Sequence, residues 1–299
     1  MLTFKCKNCG GEMSVGEDGG LLCEYCGSRY YFTDRNLSDY RSFRLLLLNY
    51  LRGVKDEKTL DLHDESNLWD RAEEASFTTK DGTEISLYYL HSSVTDGVAV
   101  YLTQNAVIYH FPRLCVSKAD RLVSIISRLE FPPADMKDLK KCCPCITGRY
   151  ELDNGDVLIA CQRNGNFFPL QMLGALQPEH TAWVMSRLEN ICCLLEYNDM
   201  SHNGITLDSI FVNPFTHQAA LFGAWWNAGQ RTDKDLVDIR AAGRKSLGMY
   251  YDTAPALFKK FLNEKPAPDA FADFEKWDNV ITSPEGFNGR RFTKYTDKI

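Results

Sequence analysis

The stretch MSHNGITLDSIFVNP, residues 200–214, lies where helical periodicity gives way to short apolar runs. Before it, Pro178 opens a segment with apolar residues at three- and four-residue steps, which predicts a long amphipathic helix. The stretch itself ends in a short apolar run at 210–212, and a second run follows at 219–222. These runs predict two short strands, so residues 200–209 are predicted to form a loop between a helix and a hairpin.

The segments on either side of this loop indicate the fold class. Upstream, β-branched and aromatic residues predict strands, and an apolar stripe after Ser117 predicts one helix among them. The predicted strands are 85–90, 98–103, 107–111, 148–152 and 157–161. Downstream, helices are predicted near 233–250, 254–263 and 268–282. Strands followed by helices indicate an α+β protein with a strand-rich small lobe and a helical large lobe.

Composition excludes several classes of protein. The 299 residues are 44% hydrophobic and 25% charged, as in globular proteins, and could form about two domains. A net charge of −6 argues against non-specific binding of nucleic acid. No run of eighteen apolar residues exists, so no membrane span is expected. The first residues lack an apolar signal region, which predicts a cytoplasmic protein with reduced thiols.

Residues 200–214 resemble the catalytic loop of protein kinases, with His202 as the histidine of that loop. Leu221, Phe222 and Gly223 stand where the family has its metal-binding Asp-Phe-Gly, and Asp238 begins an Asp-x-x-x-x-Gly that resembles the start of the central helix of the large lobe. The resemblance covers about residues 75–299 and is closest to small kinase-like proteins of bacteria and phages. It implies a bilobal protein kinase-like domain at residues 72–299.

The catalytic positions of this family are altered in the large lobe. The resemblance puts Gly204 at the place of the catalytic aspartate, Ser209 at that of the metal-binding asparagine and Leu221 at that of the metal-binding aspartate. No Asp or Glu occurs anywhere from Ser209 to Thr232, so shifting the alignment by a few residues does not restore a ligand. Phosphoryl transfer in this fold depends on such positioned charges.

The predicted small lobe also lacks the features with which the family holds phosphate groups. No lysine occurs between Lys80 and Lys118, and Tyr109 or His110 falls near the position of the lysine that holds the phosphates. Gly97 is the only glycine between Asp96 and Phe111, so a glycine-rich phosphate loop is missing. The resemblance therefore implies a pseudokinase that binds no ATP.

Residues that shape the loop in this family are present. In the family the loop histidine packs inward and the aspartate of the central helix hydrogen-bonds the loop backbone. The resemblance assigns these roles to His202 and Asp238. An ordinary surface or helix-cap pair is the alternative.

The first 33 residues predict a separate zinc ribbon with four cysteine ligands. Cys6 and Cys9 form one C-x-x-C pair, Cys23 and Cys26 form a second, and glycine follows each pair. Two thiolates at this spacing can bind one metal from a tight turn, and two such turns complete a closed tetrahedral site. We therefore expect one structural zinc ion as the cofactor. The ribbon's few basic residues favour contact with a protein over contact with DNA.

The remaining segments predict simpler features. Residues 34–71 are expected to contain a helix near 38–52 and a charged linker. Cys142, Cys143 and Cys145 are interpreted as loop or buried thiols, and the Cys192–Cys193 pair as packing in a helix.

Three functions remain open at this point. The first is a pseudokinase that binds an unknown protein partner, with Trp225 and Trp226 serving as partner anchors or as core. The second is an atypical ATP-dependent phosphotransferase with displaced residues. Its base would be Asp199 or Asp208, and its metal ligand Asp233 or Asp235. The third is a zinc-ribbon nucleic-acid-binding factor, with a basic patch at Arg290, Arg291 and Lys294.

Overall fold

The computed structural model describes residues 72–132, 139–163, 166–214 and 218–289. Before them it describes residues 11, 13–15, 21–23, 25, 29–30 and 69. Three of the four predicted zinc ligands, the predicted helix near 38–52 and the basic patch at 290–294 lie outside these residues. The predicted boundaries at residues 33 and 71 stay predictions.

A small antiparallel sheet lies near the start of the chain. Strand β1 (Met13–Val15) pairs with β2 (Leu21–Cys23), which pairs in turn with β3 (Arg29–Tyr30). Cys23 ends β2 and is fully buried. The zinc site itself stays a prediction, because Cys23 is the only one of its ligands that the structure describes.

The small lobe is a six-stranded antiparallel sheet in the order β4-β5-β6-β7-β9-β8. Its strands are β4 (Glu73–Thr78), β5 (Glu84–Thr95), β6 (Val98–Thr103), β7 (Ala106–Phe111), β8 (Ile146–Glu151) and β9 (Val157–Gln162). In β6 buried side chains alternate with half-buried ones, so one face of the strand points into the core. The five predicted strands are confirmed, although β5 runs five residues further than its apolar pattern indicates.

One helix, α1 (Val116–Arg128), connects β7 to the β8–β9 hairpin. Its buried residues Ala119, Leu122 and Ile125 lie at three-residue steps and join the main core. The Asp153-Asn-Gly sequence turns the chain between β8 and β9, with Gly155 at a positive φ of 85°. The predicted helix is confirmed, and the turn joins the two predicted strands 148–152 and 157–161.

The large lobe is mainly helical. Its helices are α2 (Leu170–Leu173), α3 (Pro178–Tyr197), α4 (Lys234–Leu247), α5 (Ala256–Asn263) and α6 (Ala270–Thr282). Its strands are β10 (Phe168–Pro169), β11 (Met200–Ser201), β12 (Ile210–Asn213), β13 (Gln218–Leu221) and β14 (Gly229–Gln230). The α+β prediction with a strand-rich part and a helical part is confirmed. No helix in the described part of the chain has both the length and the hydropathy of a membrane-spanning segment.

An ion pair is buried between α4 and α6. The guanidinium of Arg240 donates to both carboxylate oxygens of Asp273, at 2.6 and 2.9 Å, and stacks over the ring of Phe261. The backbone N–H of Ala267 donates to the same carboxylate at 2.7 Å. Both groups of the pair therefore have partners inside the core, where an unpaired charge would be costly.

Glu189 of α3 lies close to this pair and differs from it. Its side chain is fully buried, and neither carboxyl oxygen has a hydrogen-bond partner within the described residues. Its pKa is raised to about 8, first by burial and then by the Asp273 carboxylate, while Arg240 opposes the shift. The folded protein therefore holds Glu189 mainly as a neutral acid at neutral pH.

This burial predicts a loss of stability as the pH rises. The folded-state pKa of Glu189 lies above its ordinary value of 4.5. Between these two pKa values the folded state binds more protons than the unfolded state does, so the free energy of unfolding falls as the pH rises from 4.5 towards 8. The steepest loss is on the order of 1 kcal/mol per pH unit, and it levels off near the folded-state pKa. Urea unfolding of Glu189→Gln between pH 6.5 and 8 should show a flatter pH dependence than the wild type.

Glu275→Gln is the matched control, because Glu275 is exposed on α6. It should keep the wild-type slope. An unchanged slope in Glu189→Gln would show that Glu189 is not the titrating group.

Candidate functional site

The side chain of Asp235, in α4, holds the backbone of the loop between β11 and β12. One carboxylate oxygen accepts the backbone N–H of His202 at 2.6 Å, and the other accepts the N–H of Asn203 at 2.8 Å. The second contact supports Asn203 at a positive φ of 61°. Burial raises the pKa of Asp235, and the two N–H donors oppose that shift because they stabilise the charged form.

The motif spacing assigns this contact to Asp238, and that assignment is wrong. Asp238 pairs instead with Lys234, one helical turn earlier, at 2.5 Å. The physical reason is the position of the helix start. Because α4 begins at Lys234, Asp235 lies in its first turn, beside the loop, and Asp238 lies a turn further along.

His202 packs inward, as the resemblance implies. Its imidazole is fully buried and meets the ring of Trp225 edge to face, with 4.9 Å between the ring centroids. Burial lowers the pKa of His202 to about 4, against a smaller opposing contribution from the Gly223 backbone. The ring is therefore neutral at neutral pH and fills space beneath the loop.

Gly204, the position that the resemblance gives to the catalytic aspartate, is closed by the segment opposite. A Cβ placed on Gly204 would lie 2.7 Å from the Cβ of Ala224. Real Cβ contacts essentially never come so close, so any side chain here requires the backbone to move. Ala224 is itself held at a positive φ of 52°.

Ser209, the position of the metal-binding asparagine, packs against Gly223, the glycine of the Leu-Phe-Gly stretch. A Cβ on Gly223 would lie 2.5 Å from the Cβ of Ser209, which leaves no gap between the loop and the hairpin. The Ser209 hydroxyl is used locally, because it accepts from the N–H of Thr206 at 2.7 Å and donates to the carbonyl of Thr206 at 3.0 Å. Leu221 is fully buried in β13, where it pairs with Ile210.

Tyr109 of β7 occupies the neighbourhood that the resemblance gives to the phosphate-holding lysine. Its hydroxyl donates to the backbone carbonyl of Phe222, and the ring is fully buried. Trp226 meets both Tyr109 and Phe111 edge to face, at centroid distances of 6.1 and 5.5 Å. Burial raises the pKa of Tyr109 far above its ordinary value, so the hydroxyl keeps its proton and remains a donor.

A second contact between the lobes comes from the turn that joins β5 to β6. Asp96 lies at the tip of this turn with a φ of 53°, and Gly97 follows with a φ of 80°. The Asp96 carboxylate accepts the side-chain N–H of Asn227 at 2.6 Å and the indole N–H of Trp226 at 3.4 Å. Lys118 of α1 donates to the Asp96 carbonyl at 2.5 Å. The turn that would carry a glycine-rich loop in a kinase is therefore bonded to the large lobe.

A third contact joins His91 of β5 to Asp208 of the loop. The imidazole Nε2 lies 3.3 Å from the Asp208 Oδ1, and both side chains are largely buried. Three regions of the small lobe, around His91, Asp96 and Tyr109, thus bond to large-lobe residues that are 113 to 131 positions away in the sequence.

The displaced carboxylates considered for an atypical enzyme are scattered. Asp235 is under the loop with both oxygens bonded, and Asp208 is paired with His91. Asp199 lines a groove behind α1, and Asp233 is an exposed residue just before α4. No group of three metal-binding side chains occurs among the described residues.

Other predicted residues have clear places. Trp225 and Trp226 are buried core residues, so the interpretation of them as partner anchors is wrong. Cys192 and Cys193 are buried in α3, as predicted. Cys143 is buried, whereas Cys145 is exposed.

No protein-family model and no curated protein matches this chain. It is similar to a solved structure of WbdD, at 9% identity and a TM-score of 0.48, over 70% of this chain and 49% of that one. It is also similar to WbdD in complex with the kinase inhibitor LY294002, at 10% identity and a TM-score of 0.46, over 65% of this chain and 46% of that one. Vaccinia related kinase 3 aligns at 13% identity and a TM-score of 0.47, over 71% of this chain and 94% of that one. The chain spans about half the length of the WbdD structures it matches.

The contact between Asp235 and the loop predicts a large difference between two neighbouring aspartates. Asp235→Ala leaves the buried N–H of His202 and the half-buried N–H of Asn203 without acceptors, so it should lower the free energy of unfolding by about 2–4 kcal/mol. Asp238→Ala removes a partly exposed pair four residues apart in a helix and should cost about 0.5 kcal/mol or less. Urea unfolding at pH 7 measures both. Equal losses, or a larger loss at Asp238, would contradict the assignment.

Proposed function

We propose that this chain is a catalytically inactive kinase-like protein that acts by binding a protein partner. The observation that carries the proposal is the packing of Gly204 against Ala224, at the position where the resemblance expects a catalytic aspartate. A side chain that could act as a base cannot be introduced at Gly204 without moving the backbone. The packing therefore argues against a base at this position, in addition to the sequence.

The order of elements supports the kinase-like part of the proposal. A meander of strands, β5-β6-β7, leads into α1, and a hairpin, β8–β9, returns to the same sheet. A long helix, a loop and a short hairpin then follow in the large lobe. This is the order of elements that the resemblance of residues 200–214 implies.

The chemistry of the cleft supports the inactive part. Phosphoryl transfer is catalysed by positioned cations, metal ligands and a base, because the charge on the phosphoryl oxygens must be neutralised. The contact region between the lobes instead holds a buried tyrosine, a neutral imidazole and two indoles, and the carboxylates of Asp96 and Asp208 are bonded to side chains of the other lobe. The loss of a single base costs about 10²–10⁴ in rate.

The proposed role of the first 33 residues is a second contact with the partner. We infer one zinc ion bound by Cys6, Cys9, Cys23 and Cys26, whose closed sulfur site would fold the ribbon without taking part in chemistry. The burial of Cys23 at the end of β2 agrees with this role.

Purification from the native host tests the proposal. The tagged full-length chain should retain a protein in about stoichiometric amount, and addition or removal of magnesium-bound ATP should not change the amount retained, because a packed cleft transmits no nucleotide signal. The purified chain should also incorporate no labelled phosphate into itself or into the retained protein. Phosphate transfer to either one, or release of the protein by ATP, would contradict the proposal.

A further inference from the structure

An open groove lies between α1 and the β11–β14 pair. Its volume is about 450 Å³. Ile125 of α1, Leu129 just after it and Met200 of β11 provide an apolar floor. Arg121 and Arg128 of α1 provide charge on one side. Among the described residues, the only other charged side chain in the lining is Asp199. The groove is therefore locally positive on a chain whose net charge is −6.

The two arginines are presented by one helix face. They are seven residues apart, which is two turns and about 10 Å along the axis of an α-helix. Both residues are exposed, so their guanidinium groups are open to a ligand. Each has a bond to a carbonyl, Arg121 to Ala228 at 2.7 Å and Arg128 to Ser124 at 3.0 Å. A guanidinium has five N–H donors, so both keep donors for an anion.

The walls of the groove are fixed by short contacts. A Cβ on Gly229 would lie 3.1 Å from the Arg121 guanidinium, so the absence of a side chain lets Arg121 lie close against this segment. On the opposite side, Asn198 donates to the carbonyl of Glu130 at 2.9 Å and accepts its N–H at 2.8 Å. These bonds join the end of α3 to the residues after α1, so the groove keeps its shape without a ligand.

We propose that this groove binds an acidic peptide segment of the partner, with carboxylates on Arg121 and Arg128 and apolar side chains on the floor between them. The inference rests on the proposed role as a protein-binding module. Charge complementarity selects the ligand, because arginine binds carboxylates through paired donors and the apolar floor favours side chains between the charges. A free phosphate would use the arginines and leave the floor exposed.

Removing the charge of Asp199 should strengthen binding, and damage to the fold would not have that effect. Asp199 puts a negative charge on a groove that binds negative charge, so it should weaken the complex. It also lies at a positive φ of 49°, a conformation that asparagine tolerates. Asp199→Asn should therefore bind an acidic peptide more tightly than the wild type does.

The test uses the full-length chain and a fluorescein-labelled peptide in which glutamate and leucine alternate, with a glutamine–leucine peptide as its neutral counterpart. Fluorescence anisotropy should show saturable binding of the acidic peptide, weakened by salt, and none of the neutral one. Arg128→Gln should raise the Kd about tenfold, since a charge-assisted hydrogen bond is lost. Asp199→Asn should lower the Kd about threefold.

The control removes the same charge elsewhere. Arg149→Gln removes a partly exposed arginine of β8 that pairs with Asp120 and lies outside the groove lining, and it should leave the Kd unchanged. An equal loss of binding in Arg149→Gln, or weaker binding by Asp199→Asn, would overturn the proposal. So would complete displacement of the peptide by millimolar phosphate, which would assign the groove to a small anion. None of these results depends on ATP, so a failure here is distinct from a failure of the proposed function.

Discussion

The hydrogen bond from Tyr109 to the carbonyl of Phe222 is the contact on which the arrangement of the two lobes depends. A buried hydroxyl must find an acceptor, and here the acceptor is the backbone of the other lobe. Trp226 then packs on Tyr109 and Phe111, and Asp96 bonds to the residue that follows Trp226. A ligand that separated the lobes would leave these polar groups unpaired, at about 1–3 kcal/mol for each.

The residues that support the loop backbone are present, whereas the position that the resemblance gives to the catalytic aspartate is a glycine. Asp235 fixes the backbone of His202 and Asn203, and His202 packs on Trp225, so the loop is well supported. At Gly204 there is no side chain above the loop, and neighbouring atoms fill the space. The proposed binding role rests on this arrangement, in which the loop backbone is supported and Gly204 stands at the position that the resemblance gives to the catalytic aspartate.

Much of the fold can be predicted from the sequence, because strands and helices follow local periodicity. The helix from Pro178 follows from apolar residues at three- and four-residue steps, and the Asp153-Asn-Gly sequence is typical of a hairpin turn. The contacts between the lobes cannot be predicted in this way, since they join residues more than 100 positions apart and leave no periodic signal. Motif spacing points to Asp238 and misses Asp235, although an acidic residue in the first turn of a helix is a signal that identifies it. The zinc site depends mainly on residues outside the described ranges.

Calorimetric titration of magnesium-bound ATP into the full-length chain tests the central claim most directly. If the lobes are joined by their own side chains, millimolar nucleotide should give no saturable heat, and the melting temperature should stay constant, because a ligand that does not bind the folded state cannot stabilise it. Saturable binding that is lost on removal of magnesium would show that the cleft still holds a triphosphate with its cation, and would contradict the account.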